Sequence, residues 1–211
     1  MRSYLATLIV IIAAISYGCA NPAANKPKAT VGNAQPEANA ARSGAMEELV
    51  ISPGNSKVEF VASKVTRSHQ GSFKKFSGTI DLVPNSIRDS RVTIDIETGS
   101  VETDEPQLTG HLKTTDFFEV AKYPKATFIS TKIEPASTGG SNYMVTGNLE
   151  LHGVKKSITF PATIEVTPEA AAVDAEFAIN RKDFAIVYAG KADDLIRDEV
   201  VIKLDLRVVR K

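Results

Sequence analysis

GHLKTTDFFEVAKYPKATFIST, from Gly110 to Thr131, places a histidine, an aspartate, two adjacent phenylalanines and a Tyr-Pro pair directly ahead of a strand-forming run. Its first part reads as two short helical turns. Asp116 is placed to cap a turn, and Glu119 three residues on is placed to reach back, a capping box with Asp in the Ser/Thr position. On such a turn the Phe117 and Phe118 side chains point about 100° apart. Tyr123 precedes Pro124, which pushes it out of the helical region and ends the turn. From Ala126 to Ile133, β-branched and aromatic residues resume an extended chain. A loop this aromatic, set between strands, is predicted to close something.

Working outward, both flanks alternate with period 2. Upstream, Glu48–Ile51 and Lys57–Val65 read as strands around the Ser52-Pro53-Gly54-Asn55 turn. Phe73–Val83 and Arg91–Glu97 follow, the latter with Val92, Ile94 and Ile96 on one face. Ser63–Ser72 and Val101–Pro106 are polar, and Gln107–Lys113 is helical. Downstream, Thr138-Gly139-Gly140-Ser141 and His152-Gly153 are tight turns bounding Tyr143–Leu151. Ser157–Val166, Ala172–Asn180 and Glu199–Arg210 complete the strands, with Arg181–Asp194 irregular.

Eight or nine strands, hairpin-length connections and no long amphipathic helix predict an all-β domain over residues 46–211. One apolar and one polar face per strand is the pattern of an antiparallel sheet covering a core on one side. Closure into a barrel removes the exposed edges of such a sheet. About eight strands enclose an interior that is either just filled or holds one small ligand.

The N-terminus carries a different signal. Met1-Arg2-Ser3 is followed by the apolar run Tyr4–Ile15 of twelve residues, the length of a signal-peptide core and short of the ~20 residues that span a bilayer. Ser16-Tyr17-Gly18 then leads to Cys19, the only cysteine in the chain. This resembles the lipobox of bacterial lipoproteins, with Ser16 where Leu is usual. It predicts a signal peptide over 1–18 and lipidation at Cys19, the alternative being an ordinary cleaved signal with an incidental cysteine. Residues 19–45, rich in Ala, Asn, Pro and Lys, read as the lipidated Cys and a flexible tether. The predicted location is the cell envelope, lipid-anchored to the outer membrane and facing the periplasm, because Ala20 stands where Asp would signal inner-membrane retention.

Basic and acidic residues balance at 25 each. The segment before Met46 holds four basic residues and one acidic residue, leaving 21 against 24 in the domain. That balance offers no electrostatic basis for binding nucleic acid. No cysteine remains in the domain to form a disulfide or a thiolate metal site. His69, His111 and His152 show no paired spacing, so no metal site is predicted. Neither a Gly-x-Ser-x-Gly elbow nor a Gly-rich phosphate loop is present, and no catalytic residues are predicted.

Several of these segments together resemble the YceI-like family of lipocalin-like barrels that bind polyisoprenoid lipids. The resemblance spans most of Glu48–Val209. It is carried by Gly110-His111-Leu112-Lys113, Asp116-Phe117-Phe118, Tyr123-Pro124, Thr127-Phe128, Ser130-Thr131, the Gly147–Val154 hairpin, Asn180-Arg181-Lys182-Asp183-Phe184 and Glu199-Val200-Val201-Ile202. Ala185 departs from the pattern, which commonly has Gly there. The resemblance implies an eight-stranded antiparallel lipocalin-like β-barrel with short helical segments and an apolar lumen. It implies an isoprenoid (polyprenyl or quinone-like) lipid as bound ligand, with no other cofactor. Candidate lumen residues are Phe73, Phe76, Phe117, Phe118, Phe128, Tyr143, Phe160, Phe177 and Phe184, each of which either lines the lumen or fills the core. His111 and Arg181 are head-group candidates, Arg181 with the alternative of a structural ion pair with Asp183. The expected role is non-enzymatic storage, transport or sequestration of the lipid. The alternative is an envelope stress-response or interaction module whose barrel is filled.

Overall fold

The computed structural model describes residues 20–37 and 46–210. The expected signal peptide and Cys19 lie outside the described residues.

The first described strand, β1 (Thr30–Asn33), comes from the segment expected to be tether. β2 (Glu47–Ile51), β3 (Ser56–Ser63), β4 (Ser68–Phe73), β5 (Phe76–Leu82), β6 (Arg91–Glu97) and β7 (Val101–Thr103) follow. The short helix α1 (Pro106–Leu112) then leads to the long strands β8 (Lys125–Thr138), β9 (Ser141–Leu151), β10 (Val154–Val166) and β11 (Ala170–Asn180). A 3-10 turn over Arg181–Phe184 and the two-residue strands β12 (Gly190–Lys191) and β13 (Asp194–Leu195) precede the last strand, β14 (Glu199–Val209).

The fold is all-β, a curled antiparallel sheet of twelve strands paired in the order β2-β5-β6-β8-β9-β10-β11-β14-β3-β4-β7, with β1 joined to β10. Alternation drives the curl. Val58 on β3, Phe177 and Ile179 on β11 and Leu206 and Val208 on β14 turn into one core and Phe60 on β3 into a second cluster with Leu112 and Phe117, while Lys57, Glu176 and Arg207 face water. Two tight hairpins set the register of the long strands. Gly139 and Gly140 (φ 59° and 88°) join β8 to β9, and His152 and Gly153 (φ 51° and 74°) join β9 to β10. Positive φ at both central residues gives the turn whose twist matches that of paired strands. β4 and β5 are parted only by Lys74 and Lys75, which stay bonded to the β6–β7 connection. Lys74 N–H donates to Ser100 O at 3.2 Å, and Glu97 N–H donates to Lys75 O at 3.0 Å.

Three strands of the sheet were not expected. β4 and β7 lack apolar alternation and pair because β3 offers β4 its edge and β4 in turn offers β7 its own. β1 pairs with β10, which corrects the tether reading for residues 20–37. Ala23 is wholly buried against Ala178 and Val201. Those two residues point away from the main core, on the face expected to be polar, and the N-terminal segment covers them. The capping box is also absent. Glu119 takes a left-handed conformation (φ 44°) that no helical turn accommodates, and the Asp116 carboxylate bonds His111 instead.

A candidate ligand cavity beneath the Phe117–Phe118 loop

Inside the curl lies a cavity of about 160 Å³. Of its 24 lining residues, 22 are apolar, and Glu59 and Arg181 are the charged ones. Ile94 and Ile96 come from β6, Leu149 and Leu151 from β9, Ile158 and Phe160 from β10, and Val200, Ile202 and Leu204 from β14. Each set is spaced by two because alternate residues face the same side of a strand.

Two glycines let aromatic rings lie across the strands. A Cβ on Gly71 would stand 2.2 Å from Cζ of Phe60, and one on Gly147 would stand 2.4 Å from Cζ of Phe128. Neither glycine has positive φ, so the requirement is close approach rather than backbone strain. Phe73 links Phe60 to Phe118, with ring centroids 5.8 Å apart on each side. Phe128, Phe160 and Phe177 form a second aromatic run.

The loop from α1 to β8 covers one end of the cavity. It is folded by backbone bonds from Phe118 N–H to Leu112 O (3.0 Å), Glu119 N–H to Thr114 O (2.9 Å) and Val120 N–H to Lys113 O (3.2 Å). Thr98 Oγ1 donates to Tyr123 O at 2.7 Å and ties the far end of the loop to the β6–β7 connection. Phe117 is buried beneath the loop and packs edge-on against His111 and Tyr188. His111 Nε2 lies 2.7 Å from Asp116 Oδ2 and is more than a third exposed. His152 sits under the same loop, with Nδ1 3.3 Å from Phe184 O and Nε2 3.7 Å from Glu119.

Each histidine therefore faces its own carboxylate, the third pair being His69 and Asp104 at 2.9 Å. Burial raises the Asp104 carboxyl, but the hydrogen bonds from His69 and the Gln70 N–H outweigh it and hold the group below its usual range. Among the described residues no three His, Cys, Asp or Glu side chains gather at one point.

Arg181 touches the cavity but its donors are already engaged. Nε donates to Arg197 O (3.2 Å), Nη1 to Ile186 O (2.7 Å), and Nη2 to Ile196 O (3.4 Å) and Asp198 Oδ1 (3.2 Å). Burial lowers its pKa, and Asp198 opposes that shift. The ion-pair partner is Asp198, not the expected Asp183. The guanidinium is spent on the loop over residues 186–198, which is the structural alternative offered by the sequence with Asp198 in place of Asp183.

Of the expected wall residues, Phe73, Phe117, Phe118, Phe128, Phe160 and Phe177 line the cavity. Phe76, Tyr143 and Phe184 do not. Phe76 and Phe184 are buried in the main core beside the cavity, and Tyr143 packs on that core at the end of β9 remote from Leu149 and Leu151. Phe60 and the aliphatic majority of the wall were missed, although the same period-2 alternation marked their strands.

A curled antiparallel sheet with an apolar cavity in its interior and a loop over one end of that cavity defines a barrel-like all-β protein. The YceI-like domain model matches residues 49–208, and the chain belongs to the YceI-like family. It is 32% identical over 139 residues to a UPF0312 protein of Pseudomonas putida (strain W619), covering 63% of this chain and 71% of that protein. With Protein YceI of Salmonella arizonae it shares 35% identity over 122 residues, 55% of this chain and 62% of that one. Burkholderia cenocepacia BcnA superposes with a TM-score of 0.65 at 27% identity, over 76% of this chain and 99% of BcnA. A polyisoprenoid binding domain from Saccharophagus degradans, at 19% identity, shares the fold with a TM-score of 0.61 over 79% of this chain and 100% of that domain.

Proposed function

We propose that the chain binds one isoprenoid lipid, polyprenyl or quinone-like, with its apolar tail in the interior cavity. The observation that carries this reading is the near-absence of polar groups from the 24-residue lining. An unfilled apolar cavity of about 160 Å³ costs on the order of 4 kcal/mol at ~24 cal/mol per Å³. That is a large fraction of a typical folding free energy of about 5–15 kcal/mol, and a bound tail offsets it. Burying that tail gains ~25 cal/mol per Å² without any polar readout. The polar end lies by His111, whose ring packs on Phe117 of the cavity wall and pairs with the exposed Asp116 carboxylate. A similarly folded domain that binds polyisoprenoids supports the same ligand class.

The wall is read as an eight-stranded barrel. β2 with β3, β4 with β5, and β6 with β7 each count as one bent strand and β1 is set aside, because β2 and β3 pair in turn with β5 and β4 and bonds run across the bends at Lys74–Lys75 and Thr98–Ser100. The role is storage, transport or sequestration without catalysis. An acyl chain on Cys19 after signal cleavage holds the protein in the cell envelope, at the outer membrane facing the periplasm, on the strength of the lipobox-like sequence.

Mass spectrometry of an organic extract of the purified protein tests the ligand. One isoprenoid per chain is expected. Its reproducible absence, with no uptake of added polyprenol, overturns the reading in favour of a filled interaction module. Loss of membrane fractionation in Cys19→Ser tests the anchor.

A further inference from the structure

β10 and β11 pair with each other over only part of their length. Their ladder runs from Thr163–Asp174 to Val166–Ala171. Beyond Thr163, β10 has β9 along one edge, and beyond Asp174, β11 has β14 along one edge. The edges that these halves would have offered each other are taken by the N-terminal segment. Thr30–Asn33 pairs antiparallel with Lys156–Thr159. On the other flank, Ala29 N–H donates to Ala178 O (2.9 Å) and Ala178 N–H donates to Pro27 O (2.8 Å). Ala29 and Val31 pack on the main core. The segment is thus a stave in the wall, and the residues beside it, Ile158, Phe160, Phe177 and Ile179, all line the cavity.

We propose that residues 28–33 form a removable stave, and that an apolar chain enters and leaves the cavity sideways between β10 and β11 when it swings out. This rests on the reading of the cavity as a lipid site. The stave pairs four residues with β10, against eleven paired positions between β11 and β14. Its own residues are mostly exposed, and segments with few buried apolar contacts open at the least cost in free energy. Outside residues 28–33 the segment is anchored at its two ends, by Ala23 buried against Ala178 and Val201 and by Gln35, whose N–H and C=O both bond the Asn148 side chain at 2.8 Å. The other ties are the ion pairs Lys26–Glu176 (2.7 Å), Lys28–Glu199 and Lys155–Glu37 (2.6 Å), each weak when exposed. Passage through the covered end would instead disturb the Phe117 cluster and the folded loop above it. Acylation at Cys19, one residue before Ala20, would keep this seam beside the lipid that supplies the ligand.

The test uses residues 20–211, which contain no cysteine, with Thr30→Cys and Thr159→Cys on paired positions of β1 and β10. The probe is cis-parinaric acid, whose fluorescence rises in apolar surroundings. With the disulfide formed, uptake is expected to slow at least tenfold relative to the reduced protein, with equal final amplitude. Lys26→Ala with Val31→Ala, showing an unaltered circular dichroism spectrum, is expected to take up the probe several-fold faster than wild type. Equal rates in the oxidised and reduced forms, or no acceleration in the double alanine variant, overturn the portal and leave the cavity reading standing. No fluorescence rise in wild type overturns both.

Discussion

Phe160 on β10 and Phe177 on β11 stack with ring centroids 4.0 Å apart and planes 11° from parallel. They stand three residues past Thr163–Asp174, the last position at which the two strands pair. Side-chain stacking takes over where the ladder ends, and the rings form both core and cavity wall. Phe177→Ala is expected to destabilise the lipid-free chain by about 3–5 kcal/mol. Equilibrium urea unfolding measures this, and a loss below ~1 kcal/mol would contradict a packed role for the ring.

Gly147 leaves room for Phe128. A methyl there would sit 2.4 Å from the ring and 2.6 Å from the Ile129 carbonyl oxygen, itself part of the backbone. Gly147→Ala is expected to cost at least about 1–3 kcal/mol through overpacking. Adding Phe128→Leu should recover part of the loss, read as melting temperatures of the single and double variants.

Ala185 occupies the left-handed region at φ 58°. A side chain there costs about 1–2 kcal/mol, and glycine's extra unfolded-state freedom returns roughly 0.5–1 kcal/mol of that. Ala185→Gly should therefore stabilise the chain by about 0.5–1 kcal/mol in urea unfolding, and destabilisation would show the αL assignment to be wrong.

Arg181 serves three carbonyls and one carboxylate. Removing it leaves buried acceptors unpaired, at about 1–3 kcal/mol for each such group. Arg181→Met should lower stability by at least about 3 kcal/mol, equally with and without bound lipid. A loss confined to the lipid-bound form would restore the head-group role.

Acid should loosen the N-terminal stave. The hydrogen bond from Lys26 holds the Glu176 carboxyl below the ordinary glutamate range, with Lys203 adding to it, and the bond from Lys155 does the same for Glu37. A carboxyl lowered on folding contributes stability above its unfolded pKa, and the contribution is lost as pH falls through the folded value. Hydrogen exchange of residues 28–33, corrected for intrinsic rates, should accelerate relative to β14 as pH drops below about 4.5. A constant ratio from pH 7 to 3 would refute the coupling.

The sequence by itself determined the class of fold. Nine strands, their inward faces and both glycine-containing hairpin turns follow from period-2 alternation and turn chemistry, which are local properties of the chain. It also singled out the Phe117–Phe118 loop and six of the nine rings assigned to the lumen, because those rings sit on the apolar faces that alternation reveals. Only the tertiary structure decided the rest. β4 and β7 carry little apolar signal and exist through the edges of their neighbours. Arg181 reads the same in sequence whether it is a free cation or a clasp, and its partners lie up to 17 positions away. The segment expected to be tether became a strand because β10 and β11 diverge and leave backbone donors and acceptors that must be paired. Where two strands part depends on the curvature of the whole sheet, which no short window of residues encodes.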